Sequence, residues 1–183
     1  RELPLVVDFI GTPTNFDTDS LHYTLSQQTL RVAGPARTIS ALEELTVSDF
    51  DLAREFEPDR DYQRLVELPS GIISLDGVKS VTLSFDTSDM ESTTLNISNI
   101  RAINVPSNYE LEILSSMVSG VTLYGPADEI ESLTADSVVA QIDCQSVNLS
   151  AGQQTIPVTI QIPSSTRIFA TGSYTVQCEV TAR

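Results

Sequence analysis

The sequence predicts a mostly β protein made of two tandem small β-rich modules, each with one short helical turn. Three observations predict it. Leu30 to Asp51 reads LRVAGPARTISALEELTVSDFD and Val121 to Asp143 reads VTLYGPADEIESLTADSVVAQID, one pattern written twice. A unit that recurs in this way marks two copies of one module. Val, Ile, Leu, Thr and Ser dominate while Trp is absent, and β-branched enrichment favours strands. Short apolar alternations are separated by Gly and Pro, the punctuation of a strand-and-turn protein.

The repeat extends beyond these segments. Gly34-Pro35 and Gly125-Pro126 lie 91 residues apart, and at that offset Ile39, Leu42 and Val47 meet Ile130, Leu133 and Val138. Phe50-Asp51 then meets Ile142-Asp143, Leu68-Pro69 meets Ile162-Pro163, and Gly77 meets Gly172. Val81, Leu83 and Phe85 meet Val176, Cys178 and Val180; upstream, Pro13, Asn15 and Phe16 meet Pro106, Asn108 and Tyr109. The shared positions are apolar or backbone-breaking and the polar ones between them differ. Two copies with one backbone, one core and diverged surfaces produce that pattern. The expected division is 1–87 and 93–183 as modules, with 88–92 as a polar linker inside the anchor-free stretch Asp86 to Ser92. A linker that short predicts a head-to-tail, rod-like pair.

In chain order, Leu3 to Ile10 alternates as a strand, with Pro4 near its start, a place that edges tolerate. Gly11 to Ser20 is turn-rich, and His22 to Leu25 is a short strand. Thr29 to Ala33 turns Leu30 and Val32 inward and ends at Gly34-Pro35. Ile39 to Leu45 has the three-residue apolar spacing of a helical turn. Val47 to Leu52 leads into a charged loop, Ala53 to Arg60; Gln63 to Leu68 alternates without a clear inward face. Val78 to Phe85 sets Val81, Leu83 and Phe85 on one face. The second copy repeats the plan at Thr94 to Val105, Glu110 to Ile113, Gly120 to Tyr124, the turn Ala127 to Leu133, Val138 to Cys144, Gln154 to Ile162 and Tyr174 to Val180. Ile156, Val158, Ile160 and Ile162 alternate with polar residues, and Pro157 among them predicts an edge strand or a bulge.

Composition bounds function. The chain has 183 residues and an ordinary hydrophobic fraction of 40%, which marks a folded protein. A formal net charge of −15 repels polyanions, which excludes nucleic acid and disfavours an anionic membrane surface. No apolar run is long enough to span a bilayer, so direct membrane insertion is not expected. The chain begins at Arg1 rather than Met and reads as a fragment of a longer parent, so missing targeting signals are uninformative.

Apolar-x-apolar-x-Gly-Pro-x-x-x-Ile-x-x-Leu, then an alternating strand ending in Asp, then apolar-Pro and Gly-x-Tyr-x-Val, resembles the YbbR domain. The resemblance covers both halves and is closer in the second, at Val121 to Pro126, Ile130, Leu133, Val138 to Asp143, Ile162-Pro163 and Gly172 to Val180. The first half departs where Gly77-Val78-Lys79 stands for Gly172-Ser173-Tyr174, and in its charged segment Ala53 to Arg64. The resemblance implies a small, mostly β fold similar to the C-terminal domain of L25-type ribosomal proteins. It also implies a non-catalytic role outside the cytoplasmic membrane of Gram-positive bacteria, anchored through a segment beyond this chain. The implied partner is a membrane diadenylate cyclase, whose cyclic di-AMP synthesis the parent protein regulates. A cell-surface structural or adhesive module is the alternative expectation, and a hydrolase the third. The family motif is structural and brings no catalytic residue, cofactor or small-molecule ligand with it.

The residues capable of chemistry are few. His22 is the only histidine, and no Cys or second His accompanies it in sequence, so a surface or structural role is expected. Cys144 and Cys178 replace Leu52 and Leu83 in the repeat, both core positions. A changed pair within one module is compatible with a disulfide, which an extracytoplasmic setting permits, or with two buried thiols. A reactive Cys needs an electropositive niche, which this composition does not favour. Asp128, Glu129 and Glu131 follow Gly125-Pro126, and Asp17 and Asp19 precede a strand, without the regular spacing of a calcium loop. They read as helix-start complementarity and solvated surface, so no metal site is expected. Glu55 to Asp61 mixes both signs and reads as an exposed loop or a partner contact. Asn96-Ile97-Ser98 and Asn148-Leu149-Ser150 match the glycosylation sequon, which carries no weight in a bacterial protein.

Overall fold

The computed structural model describes residues 1–183 and divides them into two compact units. The first comprises Arg1–Ile10, Asp19–Asp51 and Glu55–Ser88; the second comprises Gly11–Thr18, Leu52–Arg54 and Asp89–Arg183. Two short segments expected in the N-terminal module therefore belong to the second unit, for hydrogen-bonding reasons given below. No helix is long and apolar enough to cross a membrane.

The first unit builds from β1 (Glu2–Ile10), β2 (Tyr23–Leu25) and β3 (Thr29–Ala33), followed by the helical turn α1 (Ala36–Ala41). β4 (Leu45–Asp51) runs into a second helical turn, α2 (Leu52–Glu55), in the segment expected to be loop. β5 (Asp61–Leu65), β6 (Ile73–Ser74) and β7 (Ser80–Phe85) complete it. One sheet has the order β4-β1-β3-β6 and the other β2-β7-β5. β1 is internal, yet Pro4 fits. It ends the antiparallel ladder with β3, and from Leu5 onward the strand pairs in parallel with β4. A change of partner leaves the missing N–H at a junction rather than in mid-ladder. The helical turn begins three residues earlier than the apolar spacing predicts, because Pro35, with φ −56°, precedes its first residue.

The second unit contains β8 (Met90–Ile97), β9 (Ile100–Ile103), β10 (Tyr109–Ile113) and β11 (Val118–Pro126), then the turn α3 (Ala127–Ser132). β12 (Val139–Asp143), β13 (Gly152–Gln161), β14 (Phe169–Thr171) and β15 (Tyr174–Ala182) follow. Its sheets have the orders β10-β15-β13-β12-β9 and β14-β11-β8. Residues 90–92, expected as linker, already form the start of β8 against Tyr124, Gly125 and Pro126. β13 is likewise internal, although Pro157 predicted an edge or a bulge. The physical escape is that β12 pairs with β13 only at Thr159 to Gln161, so beside Pro157 only β15 is paired, through Thr175.

The two units share one topology. Leu3 opposite Leu30 answers to Leu95 opposite Val121, and the parallel pair Phe9–Phe50 to Ala102–Ile142. Val32–Ser74 answers to Leu123–Ala170, and Leu25–Leu83 to Ile113–Cys178. Tyr62–Leu83 answers to Gln154–Cys178, while the single bridge Val47–Val66 becomes a short ladder between β12 and β13. Thus β1 of the first unit is two strands, β8 and β9, in the second.

The cores differ in filling. In the first unit Phe50 is fully buried, with Tyr62 at 4.7 Å and Phe85 at 5.2 Å between ring centroids in edge or tilted contacts. In the second, Ile142 and Val180 stand in the places of Phe50 and Phe85, and Ile142 packs with the two cysteines among Val121, Leu123, Ile156 and Val176. Each such buried side chain contributes about 1.5–3 kcal/mol relative to exposure, which outweighs any single surface ion pair.

The Gly-Pro corners are alike. A β-carbon on Gly34 would lie 2.5 Å from Ile72 Cδ1 and 2.9 Å from the Gly71 carbonyl oxygen. On Gly125 it would lie 2.7 Å from Ile168 Cγ1 and 3.3 Å from the Arg167 carbonyl oxygen. Both helical turns end the same way, with the N–H of Leu42 or Leu133 donating to the carbonyl of Ile39 or Ile130. Gly34→Ala and Gly125→Ala are each expected to cost about 1–3 kcal/mol, as overpacking does. Urea denaturation measures it, and Gly34→Ala combined with Ile72→Val, which removes the Cδ1 that the new methyl group meets, should lose less than the two single losses added together.

Candidate functional site

Cys144 follows β12 and Cys178 lies in β15; the structure holds both as free thiols buried in the core of the second unit. Burial pushes both thiols above their ordinary range, with Asp143 adding to the effect on Cys144 and Cys144 to that on Cys178. A raised pKa disfavours the thiolate, the form that attacks or ligates. The counterparts Leu52 and Leu83 are equally buried, so at these positions the repeat demands apolar volume.

His22 is exposed just before β2, and its carbonyl accepts the Asp86 N–H at 2.8 Å. Asp128 and Glu129 lie in the first turn of α3, where carboxylates complement the free N–H groups. Glu129 Oε1 accepts from Ser165 Oγ at 3.2 Å, tying the turn to the loop that carries Ile168. No three His, Cys, Asp or Glu side chains converge on a common point.

The charged segment of the first unit is more organised than its composition implies. Arg64, in β5, lies over the Phe50 ring at 4.8 Å and bonds Glu55 at 2.7 Å. Burial raises the Glu55 carboxyl, but hydrogen bonds from Arg64 and from the Asp51 N–H outweigh it and hold the group below its ordinary range. Arg64 thereby places a cation on the β5 face where alternation gave no inward side, and its stem covers the ring beneath.

A concave surface with an exposed apolar lining, a groove of about 470 Å³, lies in the first unit. Leu65, Val66, Ile73, Ser74, Gly77 and Lys79 line it. Leu65 is 65% exposed and Ile73 61%, an unusual concession for large aliphatic side chains side by side. Ser74 Oγ is enclosed there without a hydrogen-bond partner. Arg31 and Asp76 brace the strand beside it, through the Arg31 N–H and a guanidinium fork at 2.8 and 2.5 Å. The equivalent groove in the second unit measures only about 120 Å³ and is lined by Val158, Ala170, Gly172 and Tyr174 together with Gly11, Thr12, Pro13 and Ala53. Sequence reasoning missed the groove altogether. Its only trace was the unclear inward face of Gln63 to Leu68, which the structure resolves by exposing Leu65 and burying Tyr62.

A scan of known protein families and a search of curated proteins each find no match. Solved structures similar to this chain are YbbR-like proteins. The YbbR-like domain of the lmo2119 protein from Listeria monocytogenes is 21% identical with a TM-score of 0.39, over 51% of this chain and 95% of that one. A YbbR-like protein from Streptococcus pneumoniae TIGR4 is 10% identical with a TM-score of 0.35, over 100% of this chain and 95% of that one.

Two outcomes follow from this geometry. Glu55 has a folded-state pKa depressed below its ordinary value near 4.5, so its stabilising contribution is complete above that value and lost as pH falls through the folded one. Urea midpoints of the native chain and Glu55→Gln should therefore differ at neutral pH and converge on acidification. Ellman's reagent at mildly alkaline pH should react with the folded chain at least about 100-fold more slowly than with the urea-unfolded chain, because both thiols are buried and protonated.

Proposed function

We propose that this chain is a non-catalytic pair of YbbR-like modules from the extracytoplasmic part of a membrane-anchored regulator of diadenylate cyclase. The observation that carries the coarse reading is the duplicated scaffold. The same motif residues, Gly34-Pro35 with Ile39 and Leu42, and Gly125-Pro126 with Ile130 and Leu133, build the same corner twice. The side chains that the motif specifies are spent on packing, and the surface that distinguishes the copies is a groove suited to a protein segment. Binding is the activity that such a surface supports.

The finer reading, cyclase regulation, rests on the YbbR motif in the residues. A regulator of this kind acts only if its contacts differ in free energy between two states of the enzyme. The net charge of −15 favours a partner surface that is basic or neutral over one that is anionic. Deleting residues 1–183 from the parent protein, with its anchor left in place, should change cellular cyclic di-AMP under envelope stress. A level that stays the same under every envelope condition, together with retention of the purified chain by cell-wall fractions, would favour a structural or adhesive module instead.

A further inference from the structure

The grooves of the two units are repeat equivalents, and one of them is filled. Val66 and Val158 both stand opposite the start of the last strand, where Lys79 and Tyr174 are themselves equivalent. Ser74 and Ala170 pair with the equivalent residues Val32 and Leu123, and Ile73 and Phe169 with Ala33 and Tyr124. In the second unit the segment 11–17 lies along this groove. Thr14 N–H and Oγ1 both donate to Gln161 Oε1, at 2.8 and 2.6 Å. Asn15 Nδ2 donates to the carbonyls of Ile162 and Ser165, both at 3.0 Å. The Asp17 N–H donates to Thr166 at 2.7 Å, and the Gly172 N–H to the Ala53 carbonyl at 2.7 Å. The Phe16 ring meets Phe169 edge-on at 5.7 Å, and Phe169 is fully buried.

In the first unit nothing covers the same place. Ile73, the counterpart of Phe169, is exposed, and Ser74 Oγ has no partner. Meanwhile the chain contains a second edition of the filling segment. Gly-Thr-Pro-Thr-Asn-Phe at 11–16 is Asn-Val-Pro-Ser-Asn-Tyr at 104–109. The backbones agree. Gly11 and Asn104 are both left-handed, with φ 70° and 55°, and Asn is among the residues that tolerate this region best. The N–H of Phe16 donates to the Pro13 carbonyl, and that of Tyr109 to Pro106, each at 3.0 Å. This second loop is exposed, with Val105 at 40%.

We propose that the open groove of the first unit is the docking site for the 104–109 loop of a second copy of this chain. Tyr109 would cover Ile73 as Phe16 covers Phe169, and Asn108 would reach the carbonyl of Leu68, which stands where Ile162 does. The differences between the editions match one another. Val105 replaces Thr12 in the loop, and the groove that would receive it offers Leu65 and Val66. The loop that carries Ser165 and Thr166 has no full counterpart, because the chain from Pro69 to Ile72 is two residues shorter than that from Pro163 to Ile168. The contact therefore leans more on apolar surface and less on backbone hydrogen bonds. Loop and groove are different surfaces, so the contact is heterologous and open-ended rather than isologous. Between copies it lacks the effective concentration that one chain provides, and two chains of charge −15 repel, so it strengthens with salt. The proposal stands apart from the cyclase reading and does not depend on it.

The test uses the full chain at millimolar concentration in about 0.3 M salt, where exposed charges are screened. Sedimentation velocity should show reversible association that Ile73→Asp and Val105→Asp each weaken by about tenfold or more, with unchanged melting temperatures. Mixing the two variants should restore a single dimer, because Ile73→Asp retains a good loop and Val105→Asp a good groove. In parallel, a synthetic peptide of residues 101–110 titrated into the labelled chain should shift the amides of Val66, Ile73, Gly77 and Lys79, and a scrambled peptide should not. A chain that remains monomeric while the peptide binds overturns the second copy as occupant. Association indifferent to both variants, or peptide shifts elsewhere or none, overturns the groove as the site.

Discussion

At each Gly-Pro corner the chain comes so close to an isoleucine that a single methyl group has no room: 2.5 Å to Ile72 at Gly34 and 2.7 Å to Ile168 at Gly125. This close approach organises what surrounds it. The strand must stop, because the following proline fixes φ near −57° in both copies, between the −56° and −58° observed. A six-residue helical turn then carries the chain off, with Ile39 or Ile130 accepting the bond that ends it. The isoleucine comes from the loop preceding β6 or β14, so the corner also decides where that short strand can pair. In Val32–Ser74 and Leu123–Ala170 the result is the same ladder.

From the same skeleton the two copies solve their packing differently. The first fills its interior with rings, Phe50, Phe85 and Tyr62, and caps them with the Arg64 guanidinium. The second uses aliphatic side chains and two thiols, and it locks its last corner with Tyr174. That hydroxyl donates to the Thr171 carbonyl and accepts the Thr122 N–H. Lys79 stands in place of Tyr174 in the first unit and provides no such lock. The groove beside it is correspondingly wide where the other is narrow. Lys79 in place of Tyr174 and the absence of a covering segment together leave this surface open, while the ladder beneath it is the same in both units.

Much of the fold was legible in the sequence because strands with one buried face announce themselves. Val81 and Leu83, or Ile156, Val158 and Ile160, recur at every second position since alternate side chains face the core. The two prolines misled for an equally physical reason. A proline excludes only one hydrogen bond on one side, and whether a partner stands on that side is a property of the sheet. Pro4 and Pro157 both sit where a ladder has changed or ended. The candidate site was barely legible. Leu65 and Ile73 look like core residues in sequence, and nothing local shows that they stand exposed in residues 1–183.

The sequence by itself determined the duplication, most of the longer strands, the corners and the apolar identity of Cys144 and Cys178, since each depends on neighbours within a few residues or on a repeated pattern, whereas the short strands β6 and β14 and the break between β8 and β9 were not legible in it. Only the tertiary structure decided that segment 11–18 joins the second unit rather than the first. It alone decided that Arg64 covers an aromatic ring, and that one of two equivalent grooves stays open. Those outcomes depend on which distant groups meet, such as Asn15 with Ile162 across 147 residues of chain, and no local pattern encodes a partner so remote.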